Sequence, residues 1–139
     1  MSEDIMSELE IFNHEEPGYK PLIDYSTWRV ALLNSPSMYL PENVTYYDRH
    51  LETDEVFILL SGSVGILTAG QGEKPKDPKV CWMKEGKLYN VKKNTWHTLY
   101  MMPESKLAII ENVGTGISNS PRYYFSDKEK AYLLPRLTL

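Results

Sequence analysis

Residues 48–62 read DRHLETDEVFILLSG, and the fold is decided there. The stretch holds His50, one of three histidines in the chain, and four carboxylates, Asp48, Glu52, Asp54 and Glu55. An apolar run, VFILL, follows, and Ser61-Gly62 closes it. Successive side chains on a strand point to opposite faces. Asp48 and His50 therefore share a face with Val44 and Tyr46, while Thr45, Tyr47 and Arg49 take the other. The turn after His50 lets Glu55 begin the next strand facing the same interior, with Phe57 beside it. A second stretch, residues 86–101, reads GKLYNVKKNTWHTLYM and carries His97, with Leu99 and Met101 on the His97 face.

Working outward, alternating or apolar runs bounded by turn residues predict strands at 28–33, 44–50, 55–60, 63–69, 80–83, 88–91, 96–101 and 107–112. Ser61-Gly62 reads as a hairpin turn between the third and fourth of these. Residues 70–77, GQGEKPKD, read as a solvent loop. The one helix signal is a capping box, Ser126 with Glu129 three residues on, for a short helix that stops before Pro135. Many short strands at close spacing with a single late helix predict an all-β sandwich or barrel.

At 139 residues the chain reads as one domain, 1–139, with the barrel at about 28–112 and the terminal segments packing on it. The net charge of -4 and the absence of a basic cluster longer than Lys92-Lys93 argue against a nucleic-acid partner. No apolar run approaches the roughly 20 residues of a spanning helix, and the acidic N-terminus resembles no leader peptide, so a cytoplasmic protein with no membrane partner is expected. Cys81 is the only cysteine and reads as a small buried hydrophobe. His14, among Asn13, Glu15 and Glu16, reads as solvent-exposed. The strands at 28–33 and 107–110 are apolar on both faces. This predicts a homodimer through one face, or else cover by the N-terminal segment or the late helix.

Together the two stretches resemble the paired motifs of the cupin superfamily, as found in small single-domain bacterial cupins. The first motif is His-x-His, three or four residues, Glu, six residues, Gly; here His50, Glu55 and Gly62 stand at that spacing, and Asp48 takes the place of the first histidine. The second is Gly, five residues, Pro-x-Gly, two residues, His; Gly86 and His97 fit, with Lys92 and Asn94 at the Pro and Gly positions. The resemblance covers about residues 40–112 and implies a jelly-roll β-barrel.

The resemblance also implies a metal site made of Asp48, His50, Glu55 and His97. Two imidazoles with carboxylates suit Fe, Mn, Ni or Zn as the divalent ion. Asp48 stands either among the ligands or as hydrogen-bond acceptor for a ligand histidine. The expected function is a metal-dependent isomerase, lyase or oxygenase acting on a sugar, hydroxy acid or ureide held in the barrel. Tyr46 is the expected acid–base residue, beside Glu55. The alternative is a metal-free small-molecule-binding module without catalysis. In that case Glu55 needs another partner, and Lys87 or Arg29 is the expected one. Tyr89 and Trp96 are placed at the mouth.

Overall fold

The computed structural model describes residues 3–5 and 8–137. Two short strands, β1 (Glu3–Ile5) and β2 (Glu10–Phe12), pair as an antiparallel ribbon. Ten more strands follow: β3 (Gly18–Tyr25), β4 (Trp28–Asn34), β5 (Tyr46–Asp48), β6 (Glu55–Ser61), β7 (Val64–Thr68), β8 (Lys79–Trp82), β9 (Leu88–Val91), β10 (His97–Met101), β11 (Lys106–Asn112) and β12 (Arg122–Tyr124). They form two five-stranded antiparallel sheets, in the order β3-β4-β11-β6-β9 and β12-β5-β10-β7-β8.

The pairing is nested. β4 pairs with β11, β5 with β10, β6 with β9 and β7 with β8. The chain therefore runs as one long hairpin whose tip is the loop after β7, and that hairpin is wrapped into two facing sheets. This is the jelly-roll arrangement the sequence predicts. No ladder joins the two sheets among the described residues, so the barrel is a flattened one.

The nesting corrects one expectation. Ser61-Gly62 is not a hairpin turn: β6 and β7 lie in different sheets, and the chain crosses between them at Gly62. A hairpin turn and a barrel corner use the same residue chemistry, because both need a residue at positive φ. Gly62 has φ +87°, and a Cβ there would lie 2.6 Å from the Ser105 Cα. Ser105 is buried and ties this corner together. Its Oγ accepts from Ser63 N (2.9 Å) and donates to Ser63 O (3.0 Å), and its own N–H donates to Ser35 Oγ (2.8 Å).

Four strands escaped the sequence reading, the ribbon strands β1 and β2 together with β3 and β12. β3 carries Pro21 and slips register between Pro21 and Ile23, so its alternation is broken. Pro is tolerated there because β3 is a sheet edge. β12 has three residues, too few for a pattern.

Inward-facing residues at period two fill the space between the sheets. Ala31 and Leu33, Phe57 and Leu59, Val64 and Ile66, Leu99 and Met101, and Leu107 and Ile109 are all buried. Each large side chain contributes roughly 1.5–3 kcal/mol by leaving water. A second apolar cluster lies outside the β12–β8 sheet, where Tyr47, Leu67, Trp96 and Tyr100 meet Leu133 and Leu137. Leu133 belongs to α1 (Asp127–Leu133), and a 3-10 turn, Leu134–Leu137, continues it. The capping box forms as expected: Ser126 Oγ accepts from Glu129 N (3.1 Å), and Ser126 N donates to Glu129 Oε1 (2.9 Å).

Because α1 covers this sheet, it does not cover the outer face of β4 and β11. Val30, Leu32, Ala108 and Ile110 remain half-buried there, and Leu60 and Leu88 on the same sheet are exposed. Two single-residue readings are overturned. Cys81 lies on the edge strand β8 and is exposed. His14 is buried, with Nε2 3.1 Å from Gly18 O, and its carbonyl accepts from Asn34 Nδ2 (2.8 Å) and Lys106 Nζ (3.2 Å). Polar sequence neighbours hid that tie. No helix among the described residues is long and apolar enough to cross a membrane.

Candidate metal centre

The space between the sheets is packed solid toward Leu59, Val64, Met101 and Leu107 and open toward the opposite end. There a cavity of about 310 Å³ is lined by Leu33, Phe57, Leu99 and Ile109 below and by Asp48, His50, Glu55, His97 and Glu111 at one side. Strand geometry places each of these. Asp48 ends β5 directly opposite His97, the first residue of β10. Glu55 opens β6, and Ile110 pairs with Val56, which sets Glu111 beside Glu55.

Glu55 Oε1 is the point of convergence. It lies 2.9 Å from His50 Nε2 and 3.0 Å from His97 Nε2. Asp48 Oδ1 is 3.5 Å from His97 Nε2. The other ring nitrogens are held from behind: His50 Nδ1 is 2.7 Å from Ser120 Oγ, and His97 Nδ1 donates to Thr95 O at 2.9 Å. Histidines that bind metals are oriented in this way, with the outer nitrogen anchored and Nε2 directed at the ion.

The four residues read from the sequence as ligands are thus brought together. Potential ligand atoms of Asp48, His50 and His97 lie within 4.8 Å of one another, as do those of His50, Glu55 and Glu111. The donor set of two imidazoles and up to three carboxylates fits a divalent ion of the Mn, Fe, Ni or Zn type.

Electrostatics follow the geometry. Burial disfavours an ionised Glu55, yet the two imidazoles outweigh it and hold the carboxyl well below the usual range. Burial likewise opposes the His97 imidazolium, but Glu55 and Asp48 raise its pKa to about 9. His50 is raised in the same sense, against burial, chiefly by Glu55. Asp48 is pushed up by burial, with the histidines pulling against that shift. A metal ion held here would stand in place of the protons through which the two Nε2 atoms face Glu55.

Glu111 is the site residue the sequence reading missed. Burial and the neighbouring Glu55 carboxylate push its pKa up to about 7, against a hydrogen bond from Tyr19. The Tyr19 hydroxyl donates to Glu111 Oε2 at 2.5 Å. The signal was present: Leu107, Ile109 and Glu111 alternate inward on β11, and continuing that pattern by one step reaches Glu111. Ser120 gave no signal, since a loop serine has no periodicity.

Tyr46 lines the cavity, its hydroxyl pKa raised chiefly by burial. Lys87 and Arg29 do not serve Glu55. Arg29 grips Asp24 through Nε (2.8 Å) and Nη2 (3.2 Å) and comes within 4.0 Å of Glu111. Trp96 and Tyr89 are not at the mouth. Trp96 is buried under α1, with the Arg49 guanidinium 4.1 Å from its ring, and the Tyr89 hydroxyl accepts from Lys84 N (2.9 Å). Trp96 sits on the face turned away from the cavity, whereas Tyr89 pairs with Phe57 and packs on the inner core without lining the cavity.

Comparison with solved structures bears on the fold. Pac13 of Streptomyces, solved with uridine, superposes with a TM-score of 0.55 at 10% identity, over 84% of this chain and 88% of that one. Oxalate decarboxylase superposes at 0.55 with 12% identity, over 81% of this chain and 30% of its own length. A protein of Neisseria meningitidis gives 0.50 at 19% identity, over 70% and 88%. The chain has the cupin fold. No protein-family model matches the sequence, and no curated protein matches it. The cupin likeness therefore rests on the wrapped hairpin and on where it puts the two motifs.

Proposed function

We propose that this cupin is a divalent-metal-dependent enzyme acting on a polar small molecule of the sugar, hydroxy acid or ureide kind. The reading is carried by the convergence of two back-anchored imidazoles on one buried carboxylate oxygen, at the side of a cavity open to solvent. His50, His97 and Glu55 would hold the ion, with Asp48 or Glu111 completing the set. A bound ion supplies Lewis-acid polarisation of a carbonyl or hydroxyl, or oxygen chemistry if it is iron. The chain's own groups do the rest. Leu33, Phe57, Leu99 and Ile109 exclude water from the reacting face, and Glu111 with Tyr19 holds a proton at the cavity wall. Tyr46 offers a second hydroxyl there. Fold neighbours with catalytic activity are consistent with this reading: Pac13 is a nucleoside dehydratase, and another is an oxalate decarboxylase.

One observation favours a second reading, a metal-free binding module. Glu55 already has both imidazoles as partners, so the cluster is satisfied without an ion. Thermal denaturation in chelator separates the two. A ligand at a thousandfold excess over its Kd stabilises the folded state by about 4 kcal/mol. The enzyme reading predicts a rise in Tm with one of the four metals and its reversal by chelator. A Tm indifferent to all four supports the module.

The back-anchoring gives its own prediction. Ser120→Ala removes the group behind His50 Nδ1 and is expected to weaken metal binding by roughly 10-fold or more, as outer-shell losses do. Unchanged affinity by calorimetry would show that Ser120 has no such role. The apolar outer face of β4 and β11 is assigned to a second copy of the chain. Sedimentation velocity is expected to give a dimer, and a monomer at every concentration tested contradicts this.

A further inference from the structure

The cavity has a cation at its rim that the metal reading does not use. β12 pairs with β5 so that Arg122 lies opposite Asp48, and Asp48 lies opposite His97. The three side chains therefore stand in one row across the sheet. Adjacent strands lie about 4.8 Å apart, so the row spans roughly 10 Å from Arg122 to His97. Arg122 borders the cavity, and its Cζ sits 4.4 Å from the centre of the Tyr46 ring. The Tyr46 and Tyr124 rings are themselves in contact, with centroids 5.3 Å apart.

What Arg122 lacks is an anion. Among the described residues, no carboxylate lies within ion-pairing distance of it, whereas Arg29 on the other sheet has Asp24. The polar side-chain partner of Arg122 is Tyr124, and a guanidinium held on an aromatic face still has further edge donors for a planar anion. It is also the one cationic lysine or arginine among the cavity-lining residues. Asp48 stands between it and His97 in that row, and the cavity floor below is apolar, formed by Leu33, Phe57, Leu99 and Ile109. A ligand fitting this space has an anionic group at one end and a compact apolar body, with the other end against the metal cluster.

We propose that the cavity takes a small organic anion, a carboxylate or phosphate monoester, whose charged group is received by Arg122. The inference rests on the metal reading in one respect. Asp48, Glu55 and Glu111 repel an anion, and a bound divalent ion offsets that repulsion, so metal loading tightens anion binding.

The test uses phenylacetate, phenyl phosphate and the neutral phenylacetamide as probes. Each is titrated calorimetrically into the full chain, with and without zinc. The zinc titration is run first and alone, for wild type and for Arg122→Gln, so a failure of the metal reading is seen there before any probe is added. For zinc-loaded wild type, at least one of the two anions is expected to bind more tightly than the amide. Phenylacetate and phenyl phosphate distinguish the two sources of charge. Arg122→Gln is expected to lose roughly 10- to 100-fold in affinity for the anion, the worth of a hydrogen bond to a charged group. Its affinity for zinc and for the amide is expected to hold. Arg122→Lys keeps the charge without the fork and is expected to fall between the two. The proposal is overturned if Arg122→Gln binds the anion as wild type does, or if the amide binds as tightly as the better of the two anions. Failure of both anions to bind protein that takes up zinc overturns it as well.

Discussion

Glu55→Gln is expected to lower metal affinity by more than about 100-fold, beyond the 10- to 100-fold typical of outer-shell losses. The same substitution is expected to destabilise the metal-free protein by roughly 3 kcal/mol at neutral pH. Breaking a buried ion pair costs about 3–5 kcal/mol, and the lower end applies because the histidines can shed their protons. Glu55 is the one acceptor shared by His50 Nε2 and His97 Nε2, so its charge favours the protonated form of both rings.

A pH profile separates that effect from simple loss of packing. In chelator-treated wild type, His97 has its pKa raised to about 9. Its contribution is complete below the unfolded value of about 6.5 and is lost as pH rises through 9. Glu55, held low, contributes above its unfolded value of about 4.3, and that contribution is lost as pH falls further. Stability from the cluster is therefore greatest between these limits. Glu55→Gln flattens both slopes. Urea unfolding from about pH 2 to about pH 10 covers both slopes, and an unchanged profile in the variant removes Glu55 from the centre of the cluster.

Gly62→Ala is the substitution expected to damage the fold most for its size. The left-handed backbone at φ +87° costs a non-glycine residue roughly 1–2 kcal/mol. The added methyl would also lie 2.6 Å from the Ser105 Cα, which is backbone and cannot swing aside. Moving Ser105 breaks its hydrogen bonds to Ser63 and Ser35, which close the packed end of the barrel. A loss of about 3 kcal/mol or more follows, in the range reserved for strain and broken buried networks. Equilibrium urea denaturation is the check. An unfolding free energy within about 0.5 kcal/mol of wild type would mean that the corner relaxes freely. Metal affinity of whatever folded protein remains is expected to be near normal, because Gly62 lies at the far end of β6 from Glu55.

How much of this was legible in the sequence depends on distance along the chain. Period-two alternation turned His50 and Glu55 inward, and the resemblance to the paired cupin motifs, with His97 at a fixed spacing from Gly86, joined them as one ligand set. Phe57, Leu99 and Met101 were legible as core by the same alternation, and all three are buried. Glu111 and Ser120 reach the cavity only because the wrapped hairpin returns β11 and the loop after it to the first motif. Nothing local marks that return. Arg122 enters through a strand of three residues, too short to show which way its side chain points. At Gly62 the local signal was real but ambiguous, since left-handed glycine serves a hairpin and a barrel corner alike. Which one forms is decided by long-range pairing of β6 with β9 and β11.

The central claim is that His50, His97 and Glu55 hold a divalent ion. It is tested most directly by elemental analysis of protein purified without a metal-affinity tag, followed by titration of the chelator-treated chain with manganese, iron, nickel and zinc. The account predicts uptake of a single ion per chain, reversed by chelator and absent in His97→Ala. A chain that stays metal-free with all four ions, or a His97→Ala variant that retains the ion at full stoichiometry and affinity, contradicts it.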